Sequence, residues 1–368
     1  MSLNTQQYRT KLFIAIISIA CLFACKKTRE EPTPVDVPTT RQDPELFNPP
    51  SYFPTPVYNF ASNPLTKEKV QLGKMLFYDP ILSADSTIAC SNCHQPFAAF
   101  SHLSHSLSHG IKRKVGTRNA PGIYNLAWSP DFMWDGGIKN LDLLPISPIG
   151  NPVEMGSSVG LAVEKLNRTP HYQKLFKDVW QVEKIESTHI LKSLSQFMLT
   201  IVSSNSKYDQ YKQVKANLSD NEISGMLIVQ QKCAPCHGGE LFTDHSIRNI
   251  GIDSTAGSKE DVGLQLLTLN PKDRRKFKTP SLRNFSLTSP YLHNGTAYSL
   301  QAVLDRHDSL VDNTPTLDPL MIIKGTPGIH LTQDERFRIY DFLKTLTDNT
   351  LLTNPAFATP FDHYAPDH

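Results

Sequence analysis

The chain has 368 residues, with 37 Lys and Arg against 35 Asp and Glu and a formal net charge of +2. Such a length leaves room for two domains of ordinary size, and a nearly balanced charge without a long basic run excludes a nucleic-acid footprint. Lys112-Arg113-Lys114 is short and reads as a solvated loop, with contact to an anionic group as the second reading.

Arg9 and Lys11 precede thirteen apolar residues, 12–24 (LFIAIISIACLFA). This stretch is too short to cross a bilayer as a helix and suits the apolar region of a signal peptide. It ends Leu22-Phe23-Ala24-Cys25, the pattern of a bacterial lipobox. Residues 1–25 are therefore expected to be a signal peptide with Cys25 lipidated; the plainer alternative is ordinary cleavage nearby. Residues 26–57 are rich in Pro, Thr and charge without an apolar period, so they are expected to form a disordered tether. Helical periods follow at 67–78, 187–203 and 334–346. The last opens on Thr332-Gln333-Asp334-Glu335, a capping box. Strand-like alternation is scarce and many of the 27 prolines fall between the helical stretches, which points to an all-α fold with long connections.

Two pentapeptides carry the chemistry: Cys90-Ser91-Asn92-Cys93-His94 and Cys233-Ala234-Pro235-Cys236-His237. A C-x-x-C-H run sets two thiols for thioether bonds to haem vinyl groups and an imidazole for the iron. A zinc site needs four ligands, and each cluster offers three at most. Of the six cysteines only Cys21 and Cys25 lie outside these motifs, so no pair is left for a structural disulfide. The expectation is two covalently bound c-type haems. The surroundings of the motifs are alike: Gly73-Lys74-Met75-Leu76-Phe77 and Gly225-Met226-Leu227-Ile228 lie upstream, Phe100-Ser101-His102 and Phe242-Thr243-Asp244 downstream. Two related haem domains are expected, 58–210 and 211–350, with the boundary near 205–220 and a C-terminal tail at 351–368.

From residue 65 to 347 the chain resembles the bacterial dihaem cytochrome c peroxidase and MauG family. Besides the haem motifs, the resemblance rests on Ser108-His109-Gly110, Gly116-Thr117-Arg118-Asn119-Ala120-Pro121, Phe132-Met133-Trp134-Asp135-Gly136 and Asn151-Pro152-Val153-Glu154-Met155. Further on it rests on Phe277-Lys278-Thr279-Pro280-Ser281-Leu282-Arg283-Asn284, on residues 287–295 (LTSPYLHNG) and on residues 342–347 (FLKTLT). It implies an all-α fold of two cytochrome c-type domains packed face to face with long haem-wrapping loops. His94 would be the proximal ligand of the peroxidatic haem, and His109 the histidine that occupies its distal side at rest and leaves on activation. His102 and His105 are the neighbouring candidates for that place. Glu154 would be the distal acid–base residue, because splitting a peroxide O–O bond needs a proton taken from one oxygen and delivered to the other. Without the resemblance Glu154 reads as a surface charge. Trp134 would relay electrons between the haems, or be a core residue, or both. His237 would be proximal to the electron-entry haem. Asn119, Thr288 and Pro290 match the family's calcium site, while Thr288 and Pro290 also read as turn residues.

One position leaves the family's pattern. An ungapped count from His293 brings His307 to the place of the second axial ligand of the C-terminal haem, where peroxidases of the family have Met and MauG-like members Tyr. Imidazole in place of thioether lowers a haem's potential. The alternative is a solvated His307, with Met321 on the iron or the place left open.

The resemblance implies a peroxidase that reduces hydrogen peroxide with electrons from a small cytochrome c or cupredoxin, exported to the periplasm and attached to a membrane only through its lipid. Family members often dimerise. A MauG-like oxidase that modifies a protein or small molecule is the runner-up, and a non-catalytic electron-transfer or redox-sensing cytochrome the contrasting class.

Overall fold

The computed structural model describes residues 43 and 45–361, apart from 104, 253, 254, 257 and 258. The expected signal peptide, Cys25 and most of the expected tether lie outside the described residues. Helices dominate; the strands among the described residues are three two-residue antiparallel ribbons.

The chain builds two apolar clusters. In the first half, α1 (Lys67–Tyr78), α2 (Val159–Arg168), α3 (Pro170–Trp180) and α4 (Ser187–Leu199) gather around Leu72, Leu76, Phe77, Ile190, Leu194 and Phe197. In the second, α5 (Asp220–Ile228), α6 (Leu300–Asp308) and α7 (Gln333–Lys344) surround Phe242, Leu304, Ile339, Phe342 and Leu343. The Thr332 hydroxyl caps α7 by accepting from the Glu335 amide at 3.2 Å, and the Glu335 carboxylate accepts from the Thr332 amide at 2.8 Å. That reciprocal pair satisfies two orphan donors of the first turn.

In each half two helices cross at a glycine, α1 over α4 and α5 over α7. A Cβ on Gly73 would stand 1.8 Å from the Ser193 carbonyl oxygen of α4, and one on Gly225 2.0 Å from the Arg338 carbonyl oxygen of α7. The loops repeat as well, at a constant offset of 159 residues (125 to 284, 133 to 292, 136 to 295). Asn125 and Asn284 both sit left-handed ahead of a short 3-10 turn, and Met133-Gly136 is matched by Leu292-Gly295 in the sign of φ. The bridges Phe132↔Ile138 and Tyr291↔Ala297 keep the same offset.

Four expectations change in detail. Helix α4 stops at Leu199 rather than 203, because Asn125 takes the following strand: its side chain accepts from the Ser203 amide at 2.8 Å and donates to the Ser203 carbonyl at 3.1 Å. The break between halves falls before Ser206, not at 210, since the short helix Lys207–Lys212 carries Tyr208 into the second cluster. Residues 45–57 are no tether: Phe47 lies against Phe60 and Trp128, Phe53 is buried, and the Trp128 indole donates to the Pro54 carbonyl at 2.7 Å. Aromatic side chains among the prolines supply the burial that composition alone denied. Likewise 351–361 is no free tail, because Leu351 and Phe357 join the first cluster, Phe357 packing on Phe100.

Ion pairs and hydrogen bonds tie the halves together. Arg283 is itself anchored inside the second half by a bidentate pair with Asp209, both contacts 2.8 Å and both side chains fully buried. Tyr124 from the first half donates to the Arg283 carbonyl at 2.6 Å. Arg118 bridges Asp135 and Asp261, and the Lys278 ammonium donates to the Asp131 carbonyl at 2.8 Å.

Candidate active site

The first C-x-x-C-H motif sits on a separate short turn of helix, Cys90–Cys93, whereas the second follows straight on from α5 through a π turn, Val229–Cys233, into the turn Ala234–His237. The imidazole is then fixed by a carbonyl brought round by a residue with positive φ. His94 Nδ1–H donates to the Phe100 carbonyl at 3.0 Å and His237 Nδ1–H to that of Phe242 at 3.3 Å. A carbonyl only accepts, so Nδ1 carries the proton and Nε2 keeps its lone pair for a metal. Burial lowers the pKa of both rings, that of His237 to about 4 with a further contribution from nearby His307. Neutral rings are what iron ligation requires.

Both motifs open on one cavity of about 1550 Å³, larger than the roughly 300–1,000 Å³ of a site for a single small molecule. Its wall includes Cys90, Cys93, His94, His109, Asn119, Trp134, Glu154, Cys233, Cys236, His237, Thr288, Pro290, His307 and Met321. Every site residue inferred from the sequence is thus brought to the same space, which fits two haems. Burial pushes the thiols of Cys90 and Cys93 up to about 12 and about 11.

On the side of the first motif, Glu154 lies close enough to Cys93 for its charge to add to that rise. Its carboxylate accepts from the Asn151 side-chain amide at 2.8 Å. Burial raises its pKa and the Asn151 bond opposes the rise. The His109 carbonyl stands 3.7 Å from Cys93 Sγ. Gly110 is required next to it, because a Cβ there would meet the backbone of Val153 and Glu154 at 2.2–2.4 Å. The Ile111 amide donates to the Glu154 carbonyl at 2.8 Å, so the His109 loop and the Glu154 turn are held as one piece. The ring of His109 lies edge-on to His105 at 4.6 Å between centroids, with buried His102 next to both. Lys112, Arg113 and Lys114 are exposed, as expected for a solvated loop.

Trp134 lies at the seam. Its indole donates to the Asn119 carbonyl at 2.9 Å, its own carbonyl accepts from the Lys278 amide at 2.7 Å, and its ring approaches His293 at 6.4 Å. On the side of the second motif, His307 occupies the last turn of α6. Its Nδ1–H donates to the Val303 carbonyl at 2.8 Å, which again leaves Nε2 as the acceptor, and burial lowers its pKa. Met321 is buried on the same wall. Asn119 donates through its side chain to the Ser106 carbonyl at 3.1 Å. Sequence reasoning gave no role to Asn151 or to the Arg118–Asp135–Asp261 cluster, although Asn151, Arg118 and Asp135 lay in quoted motifs. A hydrogen-bond partner that acts through another side chain leaves no mark of its own in one sequence.

The comparisons agree with this geometry. Residues 67–217 match the family model described as di-haem cytochrome c peroxidase. The methylamine utilization protein MauG of Methylorubrum extorquens is 34% identical over 308 residues, covering 80% of this chain and 82% of that protein. Cytochrome c551 peroxidase of Nitrosomonas europaea is 31% identical, covering 82% and 85%. Among solved structures, a MauG-like protein associated with microbial copper homeostasis superposes with a TM-score of 0.75 at 30% identity, over 85% of this chain and 98% of that one. The diheme peroxidase BthA of Burkholderia thailandensis, 19% identical with a TM-score of 0.67 over 80% and 90%, shares the fold. Membership implies two c-type haems and oxidoreductase chemistry: the chain belongs to the di-haem cytochrome c peroxidase and MauG family.

Proposed function

We propose that the protein reduces hydrogen peroxide to water, taking two electrons one at a time from a small cytochrome c or cupredoxin and two protons per peroxide. The observation that carries this reading is Glu154, a carboxyl with a raised pKa, set on the cavity wall beside the first attachment motif. An electron carrier has no use for an acid–base group there. Each half is proposed to be one cytochrome c domain, holding its haem through Cys90, Cys93 and His94 or through Cys233, Cys236 and His237. Bound haem supplies the one-electron chemistry that no side chain offers.

The residues around it do the rest. Glu154 takes a proton from one peroxide oxygen and returns it to the other, its carboxylate held in place by Asn151. His109 covers the first-half side at rest and has to turn away before peroxide enters. Trp134, hydrogen-bonded at the seam between the halves, lies on the path of the electron. His307, with Nε2 left as an acceptor, would help hold the haem of the second half. The carbonyls of His105 and Ser106 at the Asn119 carboxamide are oxygen donors of the kind a calcium ion takes, with Thr288 and Pro290 on the same wall. Export and lipidation at Cys25 would place the enzyme on a bacterial membrane facing the periplasm.

The likeness to MauG supports a second reading, oxidation of a protein or small molecule by the same haem pair. Turnover of peroxide with reduced cytochrome c separates the two. The first reading expects multiple turnovers, faster after one-electron reduction of the protein. Consumption of peroxide without oxidation of the donor would overturn it.

A further inference from the structure

The loop after the first attachment motif places three histidines together, and only His109 among them has a role so far. The ligand nitrogens of His102, His105 and His109 all lie within 4.8 Å of one another. His102 and His105 are stacked at 4.8 Å between centroids, and His109 stands edge-on to both. Zinc–nitrogen bonds of about 2.0–2.1 Å put tetrahedral neighbours about 3.4 Å apart, so small ring rotations close the set around one ion. A second observation is independent of the clustering. His102 is 6% exposed, and its Nδ1 is buried without a hydrogen-bond partner. A buried ring nitrogen without a partner is costly unless something occupies it.

The loop is also built to hold its shape. The Asn119 side chain donates to the Ser106 carbonyl, Gly295 packs where a Cβ would meet that same carbonyl at 2.0 Å, and the Gly116 amide donates to the Ser108 carbonyl at 2.7 Å. Three imidazoles with a fourth position open toward solvent at His105 suit a borderline divalent ion such as zinc, copper or nickel. Carboxylates are absent from the set, which disfavours calcium and magnesium.

We propose that His102, His105 and His109 form a binding site for a late first-row divalent transition metal. Because His109 is also the residue proposed above to cover the first haem, an ion in this site would hold it off that haem and open the peroxide side without reduction. This second clause rests on the proposed role of His109; the metal site does not.

The test uses the full holoprotein, stripped of loose metal by a chelator and titrated with zinc chloride by calorimetry. One zinc per chain is expected, bound at least tenfold more weakly in His105→Ala, whose exposed ring can be removed without disturbing the core. Equal affinity in the variant and the parent would overturn the site. His109→Ala should lose affinity to a similar degree, with haem content showing that the protein still assembles. The absorption spectrum recorded during the titration decides the second clause separately. Conversion of one haem from low to high spin as zinc binds, absent in His105→Ala, supports the shared histidine. Stoichiometric zinc binding with an unchanged spectrum overturns the sharing and leaves the metal site standing.

Discussion

Gly73 and Gly225 occupy matching places in the two halves, each letting one helix press its backbone onto another. Phe100 and Phe242 match as well, each turning a carbonyl toward the imidazole of its C-x-x-C-H motif. On the opposite side of each site the halves part. His307 stands on a helix, its Nδ1 bonded to a carbonyl four residues earlier in the same helix, so moving the ring away means breaking a part-buried hydrogen bond. His109 stands on a loop bridged to Val115, its ring edge-on against that of the exposed His105 and not on a helix. Segments that must move are drawn from the less stable parts of a fold. One frame thus sets His307 on a helix in the second half and His109 on a loop in the first, beside Glu154, and on the proposed function these would be a fixed and a movable ligand.

The sharpest way to break the comparison is to remove the fixed ligand. With His307→Ala the second-half haem should lose its low-spin bis-imidazole signal in electron paramagnetic resonance, while the first-half haem keeps its own. Met321→Leu should change neither. Both side chains line the cavity, so the opposite pattern would move the ligand to Met321 and make the second half the adaptable one.

Next in size is Glu154→Gln. Peroxide turnover should fall by roughly 10²–10⁴, the usual loss for a general acid–base group, with both haem spectra kept. The amide retains the shape and a partner for Asn151, so a loss of that size reports the proton and not the fold. Turnover within a few-fold of the parent would leave the first half without a chemical distinction from the second.

Much of this was legible in the sequence because local rules and spacing coincide. Helix α1 and the capping box of α7 follow from apolar period and from Thr332 with Glu335, and the two C-x-x-C-H motifs, read from five adjacent residues each, both line the one cavity. What was hidden depends on distant contacts. Nothing near Asn125 announces that its side chain will meet Ser203 and end α4, and nothing near Arg283 announces Asp209. The repeat of 159 residues escaped detection because it resides in backbone signs at Asn, Met, Leu and Gly, while the side chains differ: Trp134 faces His293 at equivalent positions. The three-histidine cluster was visible as spacing, but closeness of the rings needed the loop's path.

Likeness of the scaffolds can be tested by Gly73→Ala and Gly225→Ala. Alanine gains up to ~1 kcal/mol of helix propensity, yet the new methyl meets backbone that cannot yield. Overpacking of this kind costs about 1–3 kcal/mol, occasionally more, so the net effect should be destabilising in both halves. Urea unfolding followed at each haem should show losses of similar size. A silent substitution in one half would show that its helix crossing is looser.

The smallest effect expected is that of Asn151→Ala, and it concerns the one carboxyl that sets the first half apart. Burial raises the Glu154 pKa above its ordinary 4.5, and the amide of Asn151 works against that rise by donating to the charged form. If the carboxylate is the base, turnover should climb with pH through this raised value and then level off. Without Asn151 the raising cause acts alone, so the acid limb should move to higher pH. The plateau above it should stay near the parent's. Stability carries the same sign: between 4.5 and the raised value the native state binds the extra proton, so stability falls as pH rises there, and falls further in the variant. A lowered plateau with an unmoved limb would mean that Asn151 only shapes the turn, and that the proton-handling of Glu154 is set by burial alone.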